Sequence, residues 1–208
     1  MEGRRNPIVA SEGIPFLLVM VLLAIAAANY WGMLYAVPPA LASIYLYLIF
    51  RDPKREVPAM PLGVVSPADG VVIDVGVTDK GVLDCESHRI VIEVNSLGTY
   101  TARCPIEGKI MDLHSESLER NAVNDTYGLW VRTDEDDDVV LQFHGYRFGL
   151  APLALMRYGD RVGQGQRCAF LRLTRRAEVQ LPIASRVLVK VGQKVMAGAD
   201  VLAKLPQP

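Results

Sequence analysis

The sequence predicts a mainly β domain, barrel- or sandwich-like, behind an N-terminal transmembrane α-helical hairpin. Three observations carry this. Two long apolar runs open the chain, short Val- and Ile-rich segments fill the rest, and Gly-spaced motifs recur between those segments. Strands of a few residues separated by turn clusters are the signature of a sandwich or barrel. The 208 residues suffice for one domain and an appendage. The resulting division is a membrane-anchoring hairpin over 1–50, a linker over 51–63 and a β domain over 64–208.

The hairpin comes first. Ile14–Ala28 is an uninterrupted apolar run, and Gly32–Phe50 contains no charge. A bilayer core takes about 20 apolar residues per helix, and both segments sit at or just below that length. Asn29-Tyr30-Trp31 is a polar and aromatic joint suited to the interface, and Pro38-Pro39 should kink or offset the second helix. Arg4 and Arg5 precede the first run, while Arg51, Lys54 and Arg55 follow the second. Positive charge at both outer ends predicts a cytoplasmic (inner) membrane protein whose β domain faces the cytoplasm. A cleaved signal peptide fits poorly, because a second apolar run follows at once and no small-x-small site precedes a polar start.

Arg51–Leu62, with Pro53, Pro58 and Pro61 among charges, has linker composition. The expected strands are Val71–Val77, His88–Val94, Lys109–Leu113, Leu129–Arg132, Val139–Phe143 and Arg186–Val191; Leu150–Tyr158 reads as a short helix. Gly159–Gly165 and Gly192–Gly198 share Gly-x-(Arg/Lys)-Val-x-x-Gly, and Pro67–Val72 resembles Pro105–Ile110. Such hairpins also occur in lipoyl and biotinyl carriers. A carrier needs an exposed Lys at a hairpin tip, and Lys109 and Lys190 are expected inside strands instead. In Cys168–Pro182, Cys168, Phe170 and Leu171 form an apolar run, and Ala177, Val179 and Leu181 alternate with Glu178 and Gln180. Thr174, Arg175 and Arg176 lie between, too polar for a core face, so two strands or one bent strand are expected with a cationic interruption.

Several chemistries are set aside. A net charge of −1 gives no polyanion-binding surface, so nucleic acid is not an expected partner. Cys85, Cys104 and Cys168 are dispersed and odd in number, which fits a reducing compartment rather than a disulfide framework. His88, His114 and His144 lack metal-ligand spacing, and no metal is expected. Asp134–Asp138 is the most acidic run, yet it lacks interleaved Ca²⁺ ligands and reads as a solvated loop tip.

Several motifs together resemble the phosphatidylserine decarboxylase family, especially its short bacterial and archaeal type. Phe50-Arg51-Asp52-Pro53 resembles the junction after the family's membrane anchor. Val65-Ser66-Pro67-Ala68-Asp69-Gly70 matches its Val-Ser-Pro-Ala-Asp-Gly element, and Arg103-Cys104-Pro105-Ile106-Glu107-Gly108 resembles Arg-Ala-Pro-Val-x-Gly. Glu119-Arg120-Asn121 matches the tail of Asn-Glu-Arg-Asn. The segment ending in Leu181-Pro182 follows the processing frame Phe-Gly-Ser-Arg-Val-Asp-Val-Tyr-Leu-Pro, with Leu173, Thr174 and Arg175 standing for Phe, Gly and Ser.

The resemblance implies a proenzyme whose serine attacks the preceding carbonyl, followed by β-elimination and hydrolysis to a pyruvoyl group. That group is the electron sink for decarboxylation. An Asp paired with a His activates the serine. Asp69 matches the Asp, Tyr100 falls at the expected His and Arg175 at the pyruvoyl Ser. Arg175 carries no hydroxyl, and Tyr100, with a reference pKa of about 10, is a poor base near neutral pH. No Gly-Ser dipeptide occurs in the chain. The expectation is a non-processing, non-catalytic member without a pyruvoyl cofactor, whose partners are membrane lipids or a membrane protein complex. Arg175 and Arg176 are candidate phosphate contacts. The alternative is an active decarboxylase that makes phosphatidylethanolamine.

Overall fold

The computed structural model describes residues 9–10, 13–79, 83–95, 98–114, 127–145, 152–171 and 174–206. The chain divides into two compact units: a helical one built on Arg5–Lys54 and Leu97–Thr99, and a β unit built on the remainder. Arg4, Arg5, Leu173 and the Glu119–Asn121 motif lie outside the described residues.

In the helical unit, α1 (Ile14–Tyr30) and α2 (Met33–Phe50) form the expected hairpin. At 18 residues α2 is long and apolar enough to cross a membrane, and no residue in it is buried. At 1.5 Å per residue that is about 27 Å, close to a hydrocarbon core; α1 is one residue shorter. Large apolar side chains such as Leu18, Leu22, Leu34 and Leu41 face outward. Phe16 and Phe50 stack with ring centroids 6.2 Å apart. The helix α2 runs through Pro38 and Pro39, which remove two intrahelical amide donors.

The β unit contains β1 (Gly63–Val65), β2 (Gly70–Thr78), β3 (Ser87–Val94), β4 (Thr101–Arg103), β5 (Gly108–His114), β6 (Tyr127–Arg132) and β7 (Asp138–His144). After these come β8 (Leu153–Ala154), β9 (Arg161–Val162), β10 (Arg167–Phe170), β11 (Arg176–Pro182), β12 (Arg186–Val187), β13 (Lys194–Val195) and β14 (Val201–Lys204). Among the described residues they build an eight-stranded sheet, β13-β2-β3-β11-β7-β6-β5-β9, and two three-stranded sheets, β1-β14-β12 and β4-β10-β8. One face of the large sheet is the core. Ile90 and Ile92, Ala177 and Val179, Leu141 and Phe143, Val131 and Ile110 are all fully buried. This is the period-two alternation that the sequence displays.

The Gly-spaced motifs reveal an internal duplication of the large sheet. The half β13-β2-β3-β11 mirrors the order β9-β5-β6-β7. Gly70 pairs with Val195 as Gly108 pairs with Val162. Gly192 donates to Val72 O at 2.8 Å as Gly159 donates to Ile110 O at 2.9 Å. A Cβ on Gly70 would lie 2.0 Å from Glu93 O, and one on Gly108 would lie 2.2 Å from Arg132 O. Only glycine allows the next strand so close at either position. Val94 N–H donates to Arg175 O at 2.8 Å, and Thr133 N–H donates to Asp137 O at 2.9 Å. Asp137 therefore stands before β7 as Arg175 stands before β11.

Four expectations need correction. Leu150–Tyr158 is no helix in its described part: Leu153 and Ala154 pair with Phe170 and Ala169, so sheet pairing overrides the apolar run's helical look. Arg186–Val191 is a strand only over Arg186–Val187. Lys190 accordingly sits outside it, opening a turn in which Gln193 N–H donates to Lys190 O at 3.1 Å. Thr174, expected to be too polar for the interior, is buried, because its hydroxyl donates to Leu171 O at 2.6 Å. Finally, Glu178 and Gln180 are both only 8% exposed, rather than facing solvent.

Candidate functional site

The candidate site lies at the head of β11. Cys168–Pro182 forms two strands in different sheets, β10 and β11, so the chain changes sheet across the cationic interruption. Thr174 N–H donates to Leu171 O at 3.0 Å, and Leu171 N–H donates to Tyr100 O at 2.6 Å. Arg175 N–H donates to His144 O at 3.3 Å, while Arg175 O accepts from Val94 N–H. The side chains of Arg175 and Arg176 are exposed. Backbone ties on both sides thus fix residue 175 at the strand head while its side chain is exposed.

The residues singled out in the sequence gather around this head. Asp69 precedes β2, and its carbonyl accepts from Asn95 N–H at 2.9 Å, just beyond the pairing of Gly70 with Val94. Strands lie about 4.8 Å apart, so the backbone of Asp69 is about 10 Å from that of Arg175, two strands over. Tyr100 is buried beside Leu171. Arg176 opens β11 between Glu93 on β3 and His144 on β7.

Two pairs at this end escaped the sequence reading. Arg55, in the proline-rich stretch, clamps Asp69: Nη1 meets Oδ1, and Nη2 donates to Oδ2 at 2.6 Å. Asp69 Oδ1 also accepts from Ala197 N–H at 2.8 Å. Both carboxylate oxygens are therefore engaged. The second pair is His144 with Glu178, Nε2 to Oε2 at 3.5 Å, an ion-pair distance without a well-aligned hydrogen bond. Gln180 Nε2 donates to Glu178 Oε1 at 2.8 Å. Burial pushes the Glu178 carboxyl up, but contacts from His144 and Gln180 and the charges of His144 and Arg89 outweigh it, leaving it below the usual carboxylate range. Sequence signals for these pairs were faint: a lone Arg four residues after Arg51, and a Glu at an outward position of an alternating strand.

The other singled-out features lie elsewhere. Asp134–Asp138 forms the β6–β7 turn, where Arg161 pairs Asp134 and Arg132 pairs Asp138 at 2.8 Å. Cys104 and Cys168 touch in the core as free thiols, and the hydrogen bond with Cys168, followed by burial, raises the Cys104 thiol. Among the described residues no cluster of His, Cys, Asp and Glu could hold a metal ion.

Fold and site define a β protein with an apolar helical hairpin and with Arg175 at the head of a central strand of its large sheet. Known proteins give that class its family. A phosphatidylserine decarboxylase proenzyme of Nitrosomonas europaea is 30% identical over 207 residues, 96% of each chain. One of Burkholderia ambifaria is 30% identical over 216 residues, and one of Burkholderia cenocepacia 31% over 217, each spanning 97% of this chain and 98% of the relative. No family model and no solved structure matches. This chain belongs to the phosphatidylserine decarboxylase family.

Proposed function

We propose that this chain is a membrane-anchored, non-processing member of the family that binds phospholipid headgroups without decarboxylating them. One observation carries the reading: Arg175 occupies the head of β11, where the family's reacting serine is expected. Arginine has no β-oxygen to attack the preceding carbonyl and none to leave in β-elimination. The surroundings agree. Asp69, the expected activator, is held on both oxygens by Arg55 and Ala197, and Tyr100 replaces an imidazole. These residues do not fit a pyruvoyl group. The exposed guanidinium of Arg175, like that of Arg176 next in the chain, instead suits a phosphate, which the planar fork of arginine grips in bidentate fashion.

The deciding experiment is intact-mass measurement of the purified full chain, with an assay for CO₂ release from phosphatidylserine. A single species of 22.9 kDa, the mass of the unbroken sequence, is expected, without release. Vesicles of anionic phospholipid should bind it in a manner weakened by Arg175→Ala and Arg176→Ala. Two fragments, the smaller blocked at its N-terminus, would defeat the reading and favour an active decarboxylase. That second reading is supported by about 30% identity to proenzymes over nearly the whole chain. Retained mass without lipid binding would favour a subunit of a membrane complex. The positive charge at Arg51, Lys54 and Arg55 supports a β unit on the cytoplasmic face of the inner membrane. A C-terminal reporter active only outside the cytoplasm would refute that orientation.

A further inference from the structure

The internal duplication gives the large sheet a second strand head. The two-fold relation that exchanges β11 with β7 carries Arg175 and Arg176 onto Asp137 and Asp138, at the opposite end of the strands. Six residue steps lead from Arg176 to Pro182, and at about 3.3 Å each the two ends lie about 20 Å apart. A cleft of about 340 Å³ opens at this second head, between the β6–β7 turn, the start of β3 and the end of β11. That volume accommodates a small organic molecule.

The lining defines the ligand. Leu83, Val140 and Pro182 supply an apolar wall, and Asp136 and Asp137 supply carboxylates at the rim. Asp138 is taken up by Arg132 and by Trp130 Nε1–H at 2.7 Å. Ser87 is the independent sign of a site. It is only 5% exposed, and its Oγ has no hydrogen-bond partner among the described residues. Ser87 pairs with Pro182, two residues along from the pair of Gln180 with Arg89. The period of two therefore puts its side chain on the same sheet face as Gln180 and Val140, toward the cleft. A buried hydroxyl left without a partner costs free energy that a bound polar group would recover. Burial and the charges of Glu135 and Asp138 raise the Asp137 carboxyl, the crowding that a bound cation relieves.

We propose that this cleft is a second binding site, charge-inverted relative to the Arg175 head, and that it takes a small organic ammonium. The ammonium sits between Asp136 and Asp137, its apolar body lies against Val140 and Pro182, and Ser87 Oγ accepts a hydrogen bond from the ammonium. An organic cation fits better than a metal ion, since Asp138 is already engaged by Arg132 and Trp130 and an apolar wall faces the two remaining carboxylates. The proposal is independent of whether the chain is cut at Arg175.

Cys85 makes it testable, because it lines the cleft as an exposed thiol while Cys104 and Cys168 are buried. Alkylation of Cys85 by iodoacetamide is followed by mass spectrometry on the full chain in detergent micelles. Benzylamine should protect Cys85 saturably, with half-protection at around millimolar concentration, as suits so small a ligand. Benzyl alcohol, equal in shape and uncharged, should not protect. The exposed-site variant Asp136→Asn with Asp137→Asn should weaken protection about tenfold, the equivalent of 1.4 kcal/mol. Ser87→Ala should weaken it without lowering the melting temperature. Equal protection by amine and alcohol would overturn the proposal, as would none from either. Saturable protection by Ca²⁺ with benzylamine inert would overturn it too, in favour of a metal site.

Discussion

If Asp69 is a structural carboxylate rather than a base in waiting, its stability coupling to Arg55 must be large. The two side chains are only 14% and 12% exposed, and the contact is bidentate. Removing one partner of a fully buried pair costs about 3–5 kcal/mol. Partial exposure lets water screen what is left, so about 2 kcal/mol is expected for Arg55→Ala. Asp69→Asn should cost a similar amount, because the guanidinium loses its charge partner while the Ala197 N–H keeps an acceptor. For a chain of this size about 1 kcal/mol moves the melting temperature by roughly 2–4 °C, so each variant should melt about 4–8 °C lower. The double variant should fall short of the sum by about 1–2 kcal/mol. Thermal unfolding of the full chain in micelles, followed by the β signal in circular dichroism, reads all three. Additivity within about 0.5 kcal/mol would refute the coupling and return Asp69 to the set of groups free for proton transfer.

Two further outcomes follow from the same strand head. Thr174→Gly with Arg175→Ser and Tyr100→His should still run as one band on a denaturing gel, because Arg55 and the Ala197 N–H hold both oxygens of Asp69; two bands would show that Asp69 is free to activate the restored serine. For Glu178, a carboxyl held below its ordinary value stabilises the fold above the unfolded pKa of about 4.3, and that stability disappears as pH falls through the lower folded value. Glu178→Gln should therefore flatten the stability profile on the acid side while leaving its slope near neutrality alone, and an unchanged acid limb in a pH series of melts would count against the pair.

Much of the fold was legible because it rests on local period. The apolar runs gave the hairpin, and Ala177, Val179 and Leu181 declared the buried face of β11. The recurring glycines marked turns whose geometry few other residues tolerate. What stayed hidden depends on which distant strands become neighbours. Nothing near Glu178 in the sequence announces His144, since only the pairing of β11 with β7 brings them together. Arg55 looked like one more linker charge until the β unit placed Asp69 against it. Leu150–Tyr158 failed for the same reason, its apolar residues serving as a short edge strand for β10. The Gly-x-(Arg/Lys)-Val-x-x-Gly echo was visible, but its meaning as a duplicated sheet required the register.

The fold also accounts for how the replacement proposed at residue 175 can be tolerated. Among the described residues, the core contacts that fix the scaffold are made by other side chains. Ala177 and Val179 are fully buried on the core face, and Gly70 and Gly108 fit beneath backbone oxygens. Arg175 enters the sheet through its own N–H and C=O, which any residue but proline supplies in full. Its side chain is exposed and lies beyond the Cβ position of Gly145, 3.5 Å from Arg175 Cβ. Substitution there should cost the fold almost nothing. Arg175→Ala is expected to leave the melting temperature within the range of ordinary surface changes, about ±0.5 kcal/mol, while weakening binding of anionic vesicles. A large loss of stability would mean that the guanidinium is part of the architecture, and the ligand-facing role assigned to it would fall.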